Sequence, residues 1–86
     1  MYTFYILDAN GNYHMHIAVL FTSFDNLCED VETNIVEMCE DDPNEYKVDI
    51  SSRNKLKEDV DQGDHILYYE SPTMGYKYMI CNLPHG

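Results

Sequence analysis

The sequence predicts one α+β domain spanning residues 1–86, with a small, mostly antiparallel sheet in the order β-β-α-β-α-β-β and one long amphipathic helix packed on one face. Three observations carry that expectation. Residues 2–21 read as a hairpin around Asn-Gly, residues 65–83 read as a second hairpin, and a 3.6-residue apolar periodicity runs between them. The chain offers too little surface for a second core. Its 44% hydrophobic content, with four Gly and three Pro, sits far from disordered compositions despite a net charge of −11.

The first hairpin pairs "YTFYILD" (2–8) with "YHMHIAVLF" (13–21) across "ANGN". A two-residue loop at Asn10-Gly11 sets Phe4 opposite Ile17, Ile6 opposite Met15 and Tyr2 opposite Val19, an apolar face. The other face holds Tyr5 with His16, Leu7 with His14 and Thr3 with Ala18, a mixed set. Ser23 or Thr22 then caps a helix that Pro43 terminates. Phe24, Leu27, Cys28, Val31, Ile35, Met38 and Cys39 form its apolar stripe, which faces the sheet. "EYKVDI" (45–50) alternates like a short strand, and residues 52–62 read as a brief helix stopped by Gly63. "HILYYES" and "YKYMICNL", joined through "PTMG", make the second hairpin, with Glu70 facing Lys77.

Charge is segregated along the chain. Residues 1–46 hold ten acids and no Lys or Arg, net −10, whereas residues 47–86 hold six acids and five bases, net −1. This points to a sided molecule that repels nucleic acid and anionic membranes. The opening "MYTFYILDANG" lacks a basic n-region, and no apolar run approaches membrane length, so a cytoplasmic protein is expected, in the host cytoplasm if phage-encoded. Cys28 and Cys39 lie eleven residues apart on one helix, about 16 Å by helical rise, and read as reduced core thiols.

The long helix carries the functional signal. "DNLCEDVETNIVEMCEDDPNE" (25–45) holds nine carboxylates and no base. Projected at 100° per residue, Asp25, Glu29, Glu32 and Glu40 share one sector, flanked by Asp30, Glu37 and Asp41. Like charges at i+4 repel, and acids crowding a helix C-terminus are disfavoured by roughly 0.3 to 1 kcal/mol each. Such a face costs stability. The eight carboxylates from Asp25 to Asp42 span about 25 Å of helix, roughly one per 3 Å, close to the phosphate spacing of one DNA strand.

In profile the acidic run and the small size resemble the DNA-mimic anti-CRISPR and anti-restriction inhibitors of phages, a convergent class without a shared motif. That resemblance implies a non-enzymatic inhibitor, an acidic protein that occludes the cationic groove of a basic nucleic-acid-binding protein: a CRISPR effector, a restriction enzyme or a nuclease toxin. The expected partner surface is Asp25, Glu29, Asp30, Glu32, Glu37, Glu40, Asp41, Asp42 and Glu45, with Tyr5, Tyr69 and Tyr78 as aromatic anchors from among eight tyrosines. An immunity protein or antitoxin against a basic nuclease toxin would use the same electrostatics. A different class of reading is an acidic interaction domain that self-associates, as a homodimer, through its Tyr-rich strands.

Other chemistry finds weaker support. His14 and His16 supply two ligands on one strand face, with His65, His85 and Cys81 as conceivable additions, and two ligands do not make a metal site. "DANGNYHMHIAV" begins like a calcium loop, but Gly11 is misplaced and Val19 stands where the bidentate Glu belongs. No phosphate loop, nucleophile elbow or Cys with a credible nearby His is present, so no catalytic residue, metal or cofactor is expected.

Overall fold

The computed structural model describes residues 1–16, 19–40 and 42–83. The chain runs β1 (Tyr2–Leu7), β2 (Tyr13–His16), α1 (Phe24–Cys39), α2 (Pro43–Tyr46), α3 (Ile50–Asp61), β3 (Ile66–Glu70) and β4 (Lys77–Asn82). One four-stranded antiparallel sheet has the order β2-β1-β4-β3. The two hairpins are therefore joined by their first and last strands, with the helices filling the connection between them. No helix among the described residues is long and apolar enough to cross a membrane.

The first hairpin differs from expectation in its loop. Gly11 donates to the Asp8 carbonyl at 3.0 Å and Asp8 donates to the Asn12 carbonyl at 2.8 Å, so the loop is the three residues Ala9-Asn10-Gly11. Gly11 takes φ 86°, the left-handed position such a loop requires. Asp8 Oδ1 accepts the N–H groups of Asn10 and Asn12 at 2.9 and 3.0 Å, fixing the bend. Leu7 consequently faces Tyr13 rather than His14, and a register shift follows between Ile6 and Leu7. His14 takes up that shift, which restores the expected Ile6–Met15 and Tyr5–His16 pairs. Tyr2 bridges Phe21 instead of Val19, and the pairs with Ile17 and Ala18 fall outside the described residues.

In the second hairpin Glu70 faces Lys77 as expected, while a shift at Tyr68 turns both Tyr68 and Tyr69 inward. Gly75, at φ 76°, lets the two hairpin loops touch, since a Cβ there would stand 3.1 Å from the Ala9 Cβ. Both edge strands thus carry an irregularity, a common guard against edge-to-edge pairing.

The expected strand at 45–50 is absent. Pro43–Tyr46 is a helical turn instead, begun by Asp42, whose Oδ1 accepts the Asn44 N–H at 2.9 Å. Pro at the first helical position suits this, because its missing N–H would find no helical partner. Tyr46 swings inward and meets Tyr69 edge-on at 5.9 Å, which an exposed alternating strand would not do. The expected brief helix is three turns long, Ile50–Asp61, with Asp49 as N-cap accepting the Ser52 N–H at 2.7 Å. Two substantial helices therefore cover the sheet, where one was expected.

The core lies between one sheet face and these helices. Phe4, Ile6, Tyr78 and Ile80 from the central strands meet Leu27, Cys28, Val31 and Ile35 of α1, with Val60 added from α3. Tyr2 closes the sheet edge of this layer, edge-on to Phe24 at 5.3 Å. Full burial of each large aliphatic contributes about 1.5 to 3 kcal/mol, which outweighs the few tenths lost at each repelling acid pair.

Ser23 is the N-cap of α1, accepting the Asn26 N–H at 3.4 Å. The helix ends at Cys39, before Pro43, because Glu40 turns left-handed at φ 53°, ψ 29°. That conformation favours glycine, and a carboxylate there also faces the negative end of the helix dipole. Glu40→Gly should therefore stabilise the fold by about 1 kcal/mol, a rise of about 4 to 8 °C in the thermal midpoint followed by circular dichroism.

Candidate anionic interface

The carboxylates of α1 divide into two groups. Asp25 and Glu32 face α3, where Arg53, the single arginine, reaches both at 3.4 and 3.6 Å. The Glu32 side chain keeps only 16% of its exposure and accepts the Tyr68 hydroxyl at 3.0 Å. Asp25 remains 75% exposed. The Arg53 Nε is buried with no hydrogen-bond partner among the described residues, so the guanidinium holds its place through its two terminal nitrogens. Nothing in the sequence marks Arg53 for this role beyond its being the lone arginine, at the start of a helix.

Glu29, Asp30, Glu37 and Glu40 form the second group. All four are exposed, and none has a base within ion-pair reach among the described residues. Asp42 and Glu45 extend this surface around the start of α2, both exposed. Asp41 lies outside the described residues. The expectation of a wholly uncompensated helix face is thus corrected: on the flank toward α3 one arginine offsets half of the charge of two carboxylates, and the unpaired charge lies on the crest and on the half of α1 nearer its C-terminus.

The aromatic anchors also need correction. Tyr78 is fully buried and Tyr69 nearly so, both within the core, where Tyr78 donates to Asn34 Oδ1 at 3.1 Å. Tyr78 shares the inward face with Ile80 and its partner Ile6, and the shift at Tyr68, which the sequence does not mark, turns Tyr69 to the same side. Tyr5 is half-buried on the opposite sheet face from α1, its hydroxyl 2.7 Å from His65 Nδ1. None of the three is exposed beside the acidic crest; Tyr78 meets α1 only on its buried side. In their place, the α1–α2 junction forms a shallow cleft of about 540 Å³ lined by Glu29, Glu32, Thr33, Val36, Tyr46 and Lys47. Val36 is 50% exposed and gives this cleft an apolar floor.

The remaining reactive groups are held inert or structural. Cys28, Cys39 and Cys81 are buried and unbridged. Burial pushes the Cys28 thiol up to about 11 and raises Cys81 as well, so neither supplies a thiolate near neutral pH. His14 stacks on Tyr76 at 4.4 Å, and His65 bonds Tyr5. Among the described residues no group of three or more His, Cys, Asp or Glu is arranged to hold a metal. His85 lies outside them. Comparison with protein-family models, with curated proteins and with solved structures gives no match.

Asp61, at the end of α3, fastens both central strands. It accepts the Tyr2 hydroxyl at 2.7 Å and Asn82 Nδ2 at 3.0 Å through Oδ1, and pairs with Lys57 at 2.9 Å through Oδ2. The Lys57 ammonium and then the Tyr2 hydroxyl hold this carboxyl below the usual aspartate range. A depressed folded-state value means the stabilisation is complete above the unfolded value, about 3.9, and is lost as pH falls through the folded one. The thermal midpoint of Asp61→Asn should lie below that of wild type at neutral pH, with the gap closing only below about pH 4. A gap that persists at acid pH would remove the ion pair as its cause.

Proposed function

We propose that the protein is a non-enzymatic nucleic-acid mimic: an inhibitor that presents Glu29, Asp30, Glu37 and Glu40, extended by Asp42 and Glu45, to the cationic nucleic-acid-binding surface of a nuclease. A phage-encoded blocker of a CRISPR effector or restriction enzyme is the specific form of this reading. The observation that supports it is the exposed quartet on α1, which has no cationic partner among the described residues and costs the fold stability. A helix selected only for solubility would be expected to interleave Lys or Arg one turn away, and the sequence has none from residue 1 to 46.

The mechanism is occlusion. The free carboxylates from Glu29 to Glu40 run along about 16 Å of chain by helical rise, and Asp42 and Glu45 carry the negative surface further, so a groove built for a phosphate backbone meets a row of anionic charge. The cleft floored by Val36 is lined by Glu29 and Glu32 against one base, Lys47, a net negative rim that suits the stem and head of a partner's Lys or Arg side chain. Association would be electrostatically steered and would weaken as salt rises. An immunity protein or antitoxin acting on a basic nuclease toxin would use the same surface, and gene neighbourhood separates the two.

Combined replacement Glu29→Gln, Asp30→Asn, Glu37→Gln and Glu40→Gln tests the reading. The thermal midpoint should rise by several degrees as repulsion is relieved, while affinity for a target nuclease, captured from bacterial lysate at low salt, should fall at least about 100-fold. Full retention of binding in this variant would sink the mimic proposal.

A further inference from the structure

The sheet face turned away from the helices has a character opposite to that of α1. Alternation along β1 and β4 turns Tyr5, Leu7 and Met79 to it, Leu67 joins from β3, and Tyr13 from β2. Leu67 is 44% exposed and Tyr13 71%. At one end Thr3 donates its hydroxyl to the Val19 carbonyl, and Val19, itself half exposed, continues the apolar surface. The strand residues on this face include one acid and one base, Glu70 and Lys77, and these sit opposite each other on neighbouring strands. No helix among the described residues covers it.

From this distribution we infer that the helix-free sheet face is a self-association surface whose occupant is a second copy of the same chain, packed sheet to sheet. A molecule carrying −11 charges repels its copy from most directions, and this nearly neutral face is where two copies can meet. Stacked sheets lie about 10 Å apart, and each helix layer stands about 10 Å further out. The two α1 helices would then be about 30 Å apart, several times the Debye length of about 8 Å at physiological salt. A cationic partner finds only Glu70 here, set opposite Lys77, and the irregular edges of β2 and β3 disfavour edge-to-edge assembly.

Interface size sets the strength. Four strands at about 4.8 Å, three of them some 17 to 20 Å long and β2 about 13 Å, make a face of roughly 340 Å² in projection, below the roughly 800 Å² per partner of a standard stable complex. A reversible dimer, visible only at raised concentration, is the consequence.

Sedimentation equilibrium of the full chain over about two decades of concentration, at low and at high salt, tests the inference. Wild type should shift from monomer to dimer with concentration, and high salt should strengthen the dimer, because screening removes net repulsion while leaving apolar burial intact. Met79→Lys and Leu67→Lys should each weaken dimerisation at least about tenfold with little change in thermal midpoint. A monomer at every concentration, a dimer that salt dissociates, or a dimer untouched by both substitutions would overturn the proposal. The experiment contains no nuclease, so its outcome is independent of the mimic reading.

Discussion

Everything in this fold depends on one contact layer, the apolar stripe of α1 against the inner face of β1 and β4. A helix that exposes Glu29, Asp30, Glu37 and Glu40 without a base on its own sequence has no ion pair within itself to sustain it. Isolated, it would be marginal, because helices of this length rely on tertiary burial more than on propensity. Leu27, Val31 and Ile35 are completely buried against the sheet, and several kilocalories of apolar transfer stand against a repulsion counted in tenths per pair. The anionic crest therefore exists only because the opposite side of the same helix is well packed.

The helix α3 supplies what α1 lacks, though sparingly. It carries three of the five bases, and each of two performs a different task. Arg53 offsets part of the charge on the flank where the helices meet, and Lys57 steadies Asp61, which in turn fastens Tyr2 and Asn82 at the ends of the two central strands. The Met1 ammonium bonds Asn82 Oδ1 as well, drawing the chain start into the same knot. Cationic charge is thereby spent inward, on joining helix to helix and helix to sheet. Little is left to shield the crest of α1.

Legibility in the sequence followed the range of the interactions involved. The stripe of α1 was readable because helical periodicity is local, and the Ser23 cap because a side chain reaches a backbone group three residues away. The pairs Ile6–Met15 and Tyr5–His16 emerged through a cancellation: a three-residue loop moves the register one way and the extra residue at His14 moves it back. What failed was decided by tertiary partners. Tyr46 abandons a strand-like alternation to meet Tyr69, Tyr68 shifts the register so that two successive tyrosines enter the core, and Arg53 bridges to acids 28 and 21 residues away. Of the acidic surface, its existence and helical placement were legible. Its partition into engaged and free carboxylates was not, since that partition is made by a residue from another helix.

The partition gives the surface a direction. Had Arg53 pointed outward and Asp25 and Glu32 stayed free, negative charge would wrap the helix from flank to crest, and a cationic partner could approach from a wide arc. With the α3 flank partly compensated, the field is strongest over the crest and the α1–α2 junction, where Glu29 borders the Val36 cleft and Glu45 is exposed on α2. Long-range steering acts before any contact forms, so it orients a partner toward the junction rather than merely attracting it. An apolar side chain between α1 and α3 would spare the burial of the Arg53 Nε, which has no hydrogen-bond partner among the described residues, but would leave two more carboxylates unpaired.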